Sequence, residues 1–194
     1  MSLKTISNSN FNEHYNLAGK HAILGASNYY WLNYEDDKIA NFYHSKLAAI
    51  RGTEIHEFAQ TCIKLGQKLP RSKRTLNMYV NDAIGYRMKP EQVLYYSDNC
   101  FGTADSISFK NKVLRIHDLK TGVTPAKIDQ VLIYAAIFCL EYGLEPMDIE
   151  MDLRIYQSDE ILFWDTEPRD IREIMGRIIA ADKIIEKEKN NERL

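Results

Sequence analysis

A chain of 194 residues, 45% of them hydrophobic, carries enough apolar material for one domain with a real core. Its formal net charge of −2 excludes a globally basic nucleic-acid binder, so a nucleic-acid partner would be held by a local patch. The cysteines Cys62, Cys100 and Cys139 are widely spaced with no CxxC pair, which argues against zinc and a disulfide framework and suits a reducing cytoplasm. No apolar run is long enough to span a membrane, and no signal-peptide pattern is found.

Residues 1–20, with Ser7-Asn8-Ser9-Asn10, read as a loose N-terminal arm. A helix is expected to start at Ser27 or Asn28, ahead of Tyr29, Tyr30, Trp31 and Leu32. Ser27 there either caps the helix or helps a backbone nest hold a phosphate. Residues 36–50 and 51–66 have helical spacing, the second with a stripe of Ile55, Phe58, Ala59, Cys62 and Ile63. His56 borders that stripe, where a histidine is ordinarily a satisfied structural residue and less often a ligand. Lys64, Lys68, Arg71, Lys73 and Arg74 follow without an acidic residue among them. They form either a phosphate-contacting segment or a solvated helix end and loop. Residues 74–88 read as an amphipathic helix (Leu76, Tyr79, Val80, Ala83, Ile84) ended by Pro90, and 93–97 as a short strand.

A hairpin comes next. Phe101, Thr103, Asp105, Ile107 and Phe109 share one face of its first strand, and Leu114, Ile116, Asp118 and Lys120 share one face of its second. With Lys110-Asn111 as a two-residue turn, Phe109 pairs with Lys112 and Asp105 lies opposite Ile116. Asp105 is then a diagonal neighbour of Asp118, roughly 7–8 Å away. Two carboxylates and an ammonium beside an apolar patch shift their pKa values or recruit a counter-ion. A hard divalent cation bridging the aspartates is the economical explanation; a lysine–aspartate ion pair at the end of a half-exposed hairpin is the alternative.

Thr124-Pro125 predicts the start of a helix over 125–141, with Gln130 and Tyr134 on one face and Gly143 and Pro146 closing it. Residues 149–156 and 161–164 read as a second hairpin. A last helix runs from about residue 168 into a charged end, with 186–194 expected to fray. This order gives an α/β (α+β) single domain, a mixed sheet flanked by helices.

The ordered series GTEIH, GTAD, HDLK-TG and QVLIY resembles the RecB-like branch of the PD-(D/E)XK nuclease superfamily. Within it the chain is most similar to phage recombination exonucleases related to lambda exonuclease. The resemblance covers roughly residues 23–165, and its motifs are specific jointly rather than singly. It implies a restriction-endonuclease-like core with a central mixed sheet. It makes His56, Asp105, Asp118 and the Leu119 carbonyl ligands of one or two Mg²⁺ or Mn²⁺ ions, and Asp105, Asp118 and Lys120 the catalytic residues. Gln130 and Tyr134 match the QxxxY pair that contacts DNA. Ser27 falls near an early serine used at the DNA end, and Arg51 and Thr121 join the DNA-binding candidates with Lys64, Lys68, Arg71, Lys73 and Arg74. Ala104 stands where many members carry proline. Three cysteines, poorly placed, leave no iron–sulfur cluster to expect.

The implied activity is metal-dependent exonucleolytic hydrolysis of linear, double-stranded DNA in a phage- or bacterium-encoded recombination setting, in the host cytoplasm. An endonuclease or nickase, or a non-catalytic DNA-binding or inhibitory protein of the same fold, are the alternatives. Implied partners are DNA, a single-strand-annealing protein and further copies in a ring-like homo-oligomer.

Overall fold

The computed structural model describes residues 13–192. Residues 1–12 of the expected arm and 193–194 of the expected frayed end lie outside the described residues. The chain divides into two compact units at Ala49 and Ile50. In the first, a short 3-10 turn spans Tyr15–Leu17 and a 3-10 segment spans Ala26–Asn33. Ser27 lies inside that segment rather than capping an α-helix; Gly25 is the cap and makes no side-chain bond. Asn28 breaks the helical path with φ −113° and ψ 66°, and Trp31 Nε1 donates to the Gly25 carbonyl at 3.1 Å, folding the segment back on its own start.

The stretches 36–50 and 51–66 form one uninterrupted helix, α1 (Asp36–Leu65), with Asp36 and Asp37 in its first turn and Lys64 in its last, as the helix dipole favours. The second unit is built on a five-stranded sheet of β1 (Lys89–Ser97), β2 (Cys100–Lys110), β3 (Val113–Leu119), β4 (Glu150–Gln157) and β5 (Glu160–Phe163), side by side in that order. All neighbours are antiparallel except β3 and β4, which run parallel and are joined through α3 (Asp129–Tyr142). The chain is therefore an α+β protein with a mixed sheet packed against helices.

On one face Ile107, Leu114, Ile116 and Ile155 meet Val131, Ala135 and Ala136 of α3 and Ile171 of α4 (Pro168–Glu192). On the other, Leu119 and Tyr156 pack with Ala59, Cys62 and Ile63 of α1 and Tyr79, Val80 and Ala83 of α2 (Thr75–Gly85). Each fully buried Leu or Ile contributes about 1.5–3 kcal/mol. Phe58, expected in the buried stripe, is 49% exposed instead. Among the described residues no helix is long and apolar enough to cross a membrane.

Three expected boundaries move. Pro90 does not end α2, which stops at Gly85; it sits in β1, an edge strand where its missing N–H breaks no essential ladder bond. The hairpin turns at Asn111-Lys112, both with left-handed φ (53° and 62°), so Lys110 pairs with Val113, Phe109 with Leu114 and Ile107 with Ile116. This is a two-residue slip from the expected pairing, which by itself preserves faces and gives Ile107 and Phe109 apolar partners. The expected alternation along β2 nevertheless breaks, since Gly102 and Ala104 turn to α3 as Ile107 and Phe109 do. Thr124-Pro125 does not start α3, which begins at Asp129; Gln157 of β4 takes the backbone groups of this stretch instead.

α4 continues to Glu192, so residues 186–192 are helical where fraying is expected. Asn99 holds this end, donating to Asp182 at 2.8 Å and Glu186 at 2.7 Å and accepting from Lys189.

Candidate metal centre

His56 comes from α1, one turn after Gly52, which is buried where a Cβ would stand 2.9 Å from Thr121 Oγ1. The glycine lets the helix approach the loop behind Lys120. Asp105 comes from β2 and Glu91 from β1. One ligand atom from each of His56, Glu91 and Asp105 lies within 4.8 Å of the others. His56 Nδ1 is 3.6 Å from Asp105 Oδ2. These three residues form a cluster able to hold a divalent metal ion.

The backbone is broken here to make the cluster. Glu91 has φ 50° inside a strand, and the β1–β2 ladder pairs Pro90 with Ser106 and Gln92 with Ala104 while leaving out Glu91 and Asp105 between them. A left-handed non-glycine residue costs on the order of 1 kcal/mol or more. Like a bulge, the irregularity re-aims a side chain that regular pleating would place elsewhere.

Asp118, near the end of β3, is 1% exposed, and neither carboxylate oxygen has a hydrogen-bond partner. Its one close cation among the described residues is Lys120, whose Nζ lies 2.9 Å from Oδ2 as an ion pair. Lys120 Nζ also donates to Gln130 Oε1 at 2.7 Å, and Gln130 Nε2 donates to the Tyr134 hydroxyl at 3.1 Å. The Tyr134 ring is seated against β2 by Gly102, where a Cβ would lie 2.9 Å from Cε1. Burial raises the Tyr134 phenol above its ordinary range, with Asp105 and Asp118 adding to the effect.

Burial is the largest influence on Asp105 and raises its carboxyl well above the usual range; the charge of Asp118 adds to this. The Leu119 N–H, donating to Asp105 Oδ2 at 2.8 Å, and His56 pull the other way. Two carboxylates pressed together with too few donors, beside an imidazole and a third carboxylate, match the oxygen-rich set a hard divalent cation takes, with one softer nitrogen.

The DNA-binding candidates are spread more widely. Arg51, Thr121 and Gln130 are exposed in the second unit, and Tyr134 is half-buried. Lys64, Lys68, Arg71, Lys73 and Arg74 are all exposed, and among the described residues none forms an ion pair. Their loop is shaped from α2: Asn81 accepts from Leu69 N and donates to Leu69 O, each at 2.9 Å, and Asn77 donates to Pro70 O at 2.9 Å. Ser27 is exposed in the first unit. For Leu119, the N–H is the group in contact with Asp105.

Glu91 is the residue that sequence reading misses. Starting the first strand at residue 93 leaves it in a turn. Only the β1–β2 register, which pairs Pro90 with Ser106 and Gln92 with Ala104, brings it level with Asp105.

Compared with models of protein families, with curated proteins and with solved structures, the chain matches none. What fold and site define is an α+β protein with a mixed five-stranded sheet, where Glu91 and Asp105 of the sheet and His56 of α1 form a cluster able to bind a metal ion.

Proposed function

We propose that the chain is a metal-dependent deoxyribonuclease, an exonuclease acting on linear duplex DNA. The observation that carries this reading is the convergence of His56, Glu91 and Asp105 beside a buried Asp118 whose oxygens, among the described residues, are met only by the Lys120 charge. Mg²⁺ or Mn²⁺ held by His56, Glu91, Asp105 and Asp118, with the Leu119 carbonyl, would neutralise charge on the scissile phosphate and lower the pKa of its bound water. Lys120 is ion-paired with Asp118 and donates to Gln130, which suits orienting the attacking water and stabilising charge on the phosphate. Gln130 and Tyr134 extend the polar surface from Lys120 along α3, and the cations of 64–74 offer a wall for the DNA backbone. The preference for ends over internal sites rests on the resemblance of the motif series to phage-type exonucleases.

The test is digestion of end-labelled linear and covalently closed circular duplexes with Mg²⁺, Mn²⁺ or EDTA, by the parent and by Lys120→Ala. Metal-dependent loss of linear DNA alone, abolished by the substitution, is the expected result. Cleaved circles would replace the exonuclease with an endonuclease, and intact DNA under all conditions would remove the catalytic reading.

A further inference from the structure

A cavity of about 290 Å³ lies beside the metal centre, with Lys120 in its wall. Ile55, Leu76 and Leu119 give it an apolar lining, and the hydroxyls of Thr75 and Ser158 are on its border. On its rim stands Val123, 93% exposed.

Both sides of this cavity are held in place. Gln157 is 6% exposed, and its Nε2 donates to the carbonyls of Gly122 at 2.7 Å and Thr124 at 2.8 Å, while Oε1 accepts from Ala126 N at 2.9 Å. One buried amide thus grips the carbonyls on either side of Val123. Across the cavity, Asp159 Oδ1 accepts from Thr75 N at 2.8 Å, and Asp159 N donates to Thr75 Oγ1 at 2.7 Å, which locks Ser158 against the first turn of α2. A rigid loop that keeps an apolar side chain in water gives up little further entropy when something covers that side chain.

We propose that this cavity receives the base of the nucleotide adjoining the phosphate at the metal centre, with Val123 against the flat face of the ring. The inference deepens the nuclease reading and rests on it. A base has apolar faces and polar edges, matching an aliphatic lining bordered by hydroxyls. The cavity shares Lys120 with the metal centre, so a strand with its phosphate there has its neighbouring base within reach. Lys73 and Arg74, exposed and directly before Thr75, supply positive charge where the backbone would run.

The experiment uses a duplex with 2-aminopurine as the end nucleotide, bound by the parent and by Val123→Ser with Ca²⁺ in place of Mg²⁺. Binding is followed by anisotropy of a dye at the far end. Among the described residues no aromatic ring lines the cavity to quench the probe, so the parent should raise 2-aminopurine fluorescence several-fold as the base leaves the stack. Val123→Ser should bind but lose most of that rise. With Mg²⁺, an abasic end nucleotide should lower the parent's kcat/KM by about ten-fold and that of Val123→Ser much less. Binding and cutting by the parent with no fluorescence rise and no cost for the abasic end would overturn this inference and leave the nuclease reading standing. If the parent neither binds nor cuts DNA, the nuclease reading fails and takes this one with it.

Discussion

The Leu119 N–H donates to Oδ2 of Asp105 at 2.8 Å, tying the end of β3 to a carboxylate of β2 that burial and Asp118 both disfavour as an anion. Asparagine at 105 keeps an acceptor for that N–H and removes the charge. Asp105→Asn should therefore raise the melting temperature in chelator by about 2–4 °C, the equivalent of roughly 1 kcal/mol in a chain of this size. On the metal-site reading Mn²⁺ should raise the parent's melting temperature further, and Asp105→Asn should abolish that rise. Thermal melts with and without Mn²⁺ read both effects.

On the nuclease reading, Lys120→Ala should act on stability and chemistry together. It leaves the Asp118 carboxylate, 1% exposed, without its ion-pair partner. The fold should lose about 1–3 kcal/mol, less than for a fully buried pair because Lys120 itself is partly exposed. Hydrolysis should fall by about 10²–10⁴-fold, far more than the unfolded fraction explains. Urea denaturation beside initial-rate measurements separates the two.

The two motif glycines predict unequal costs. Alanine at 102 drives a Cβ into the Tyr134 ring at 2.9 Å, and a ring wedged between α3 and the sheet has little room to yield. Gly102→Ala should destabilise by about 1–3 kcal/mol and disturb the Gln130–Tyr134 bond. Gly52→Ala meets only Thr121 Oγ1, the end of a side chain on an exposed loop, and gains up to about 1 kcal/mol of helix propensity. Its net effect should be near zero, and Thr121→Ala should remove what cost remains. Denaturant melts of the four variants, including the double, check this.

Stability should also depend on pH through His117. It is fully buried; its Nδ1 lies 3.2 Å from the Tyr156 hydroxyl, which donates to Asp82, so Nδ1 carries the proton and Nε2 is left without a partner. Burial first, then the Arg154 and Arg115 charges, push its pKa down to about 3, with Asp152 opposing them. The folded chain thus refuses a proton that the unfolded chain accepts near 6.5. Stability is full above that value and falls as pH drops towards 3, by at most about 1.4 kcal/mol per unit. Asp105 works oppositely: its raised carboxyl binds a proton more readily in the folded chain, so it lowers stability as pH rises above its ordinary value. Urea melts in chelator from pH 4 to 7 should show a steeper rise with pH for Asp105→Asn than for the parent. His117→Gln in that background should flatten it.

Much of this was legible from residue spacing alone. Alternation in 113–120 places Asp118 on one face with Leu114 and Ile116. The same reading of 101–109, which puts Asp105 with Ile107 and Phe109, fails, because Gly102 and Ala104 turn towards α3 with Ile107 and Phe109 while Asp105 turns to His56 of α1. Helical periods place His56 at the edge of a buried stripe and bring Gln130 within reach of Tyr134. These are local properties, because side-chain direction follows the strand and helix repeats whatever the rest of the chain does.

The remainder depended on partners distant in sequence. The pairing of Phe109 with Leu114 selected the turn, and with it the register of Asp105 against β3. The left-handed break at Glu91 has meaning only once β1 lies beside β2. α3 begins late because Gln157, far along the chain, takes up the Thr124 carbonyl and the Ala126 N–H. The amino-acid sequence by itself thus determined most of the elements, the inward face of β3, and His56 and Asp105 of the metal-binding cluster. Only the tertiary structure decided Glu91, the register and the two glycine contacts, since each is a competition between hydrogen bonds or van der Waals contacts whose other half lies elsewhere in the chain.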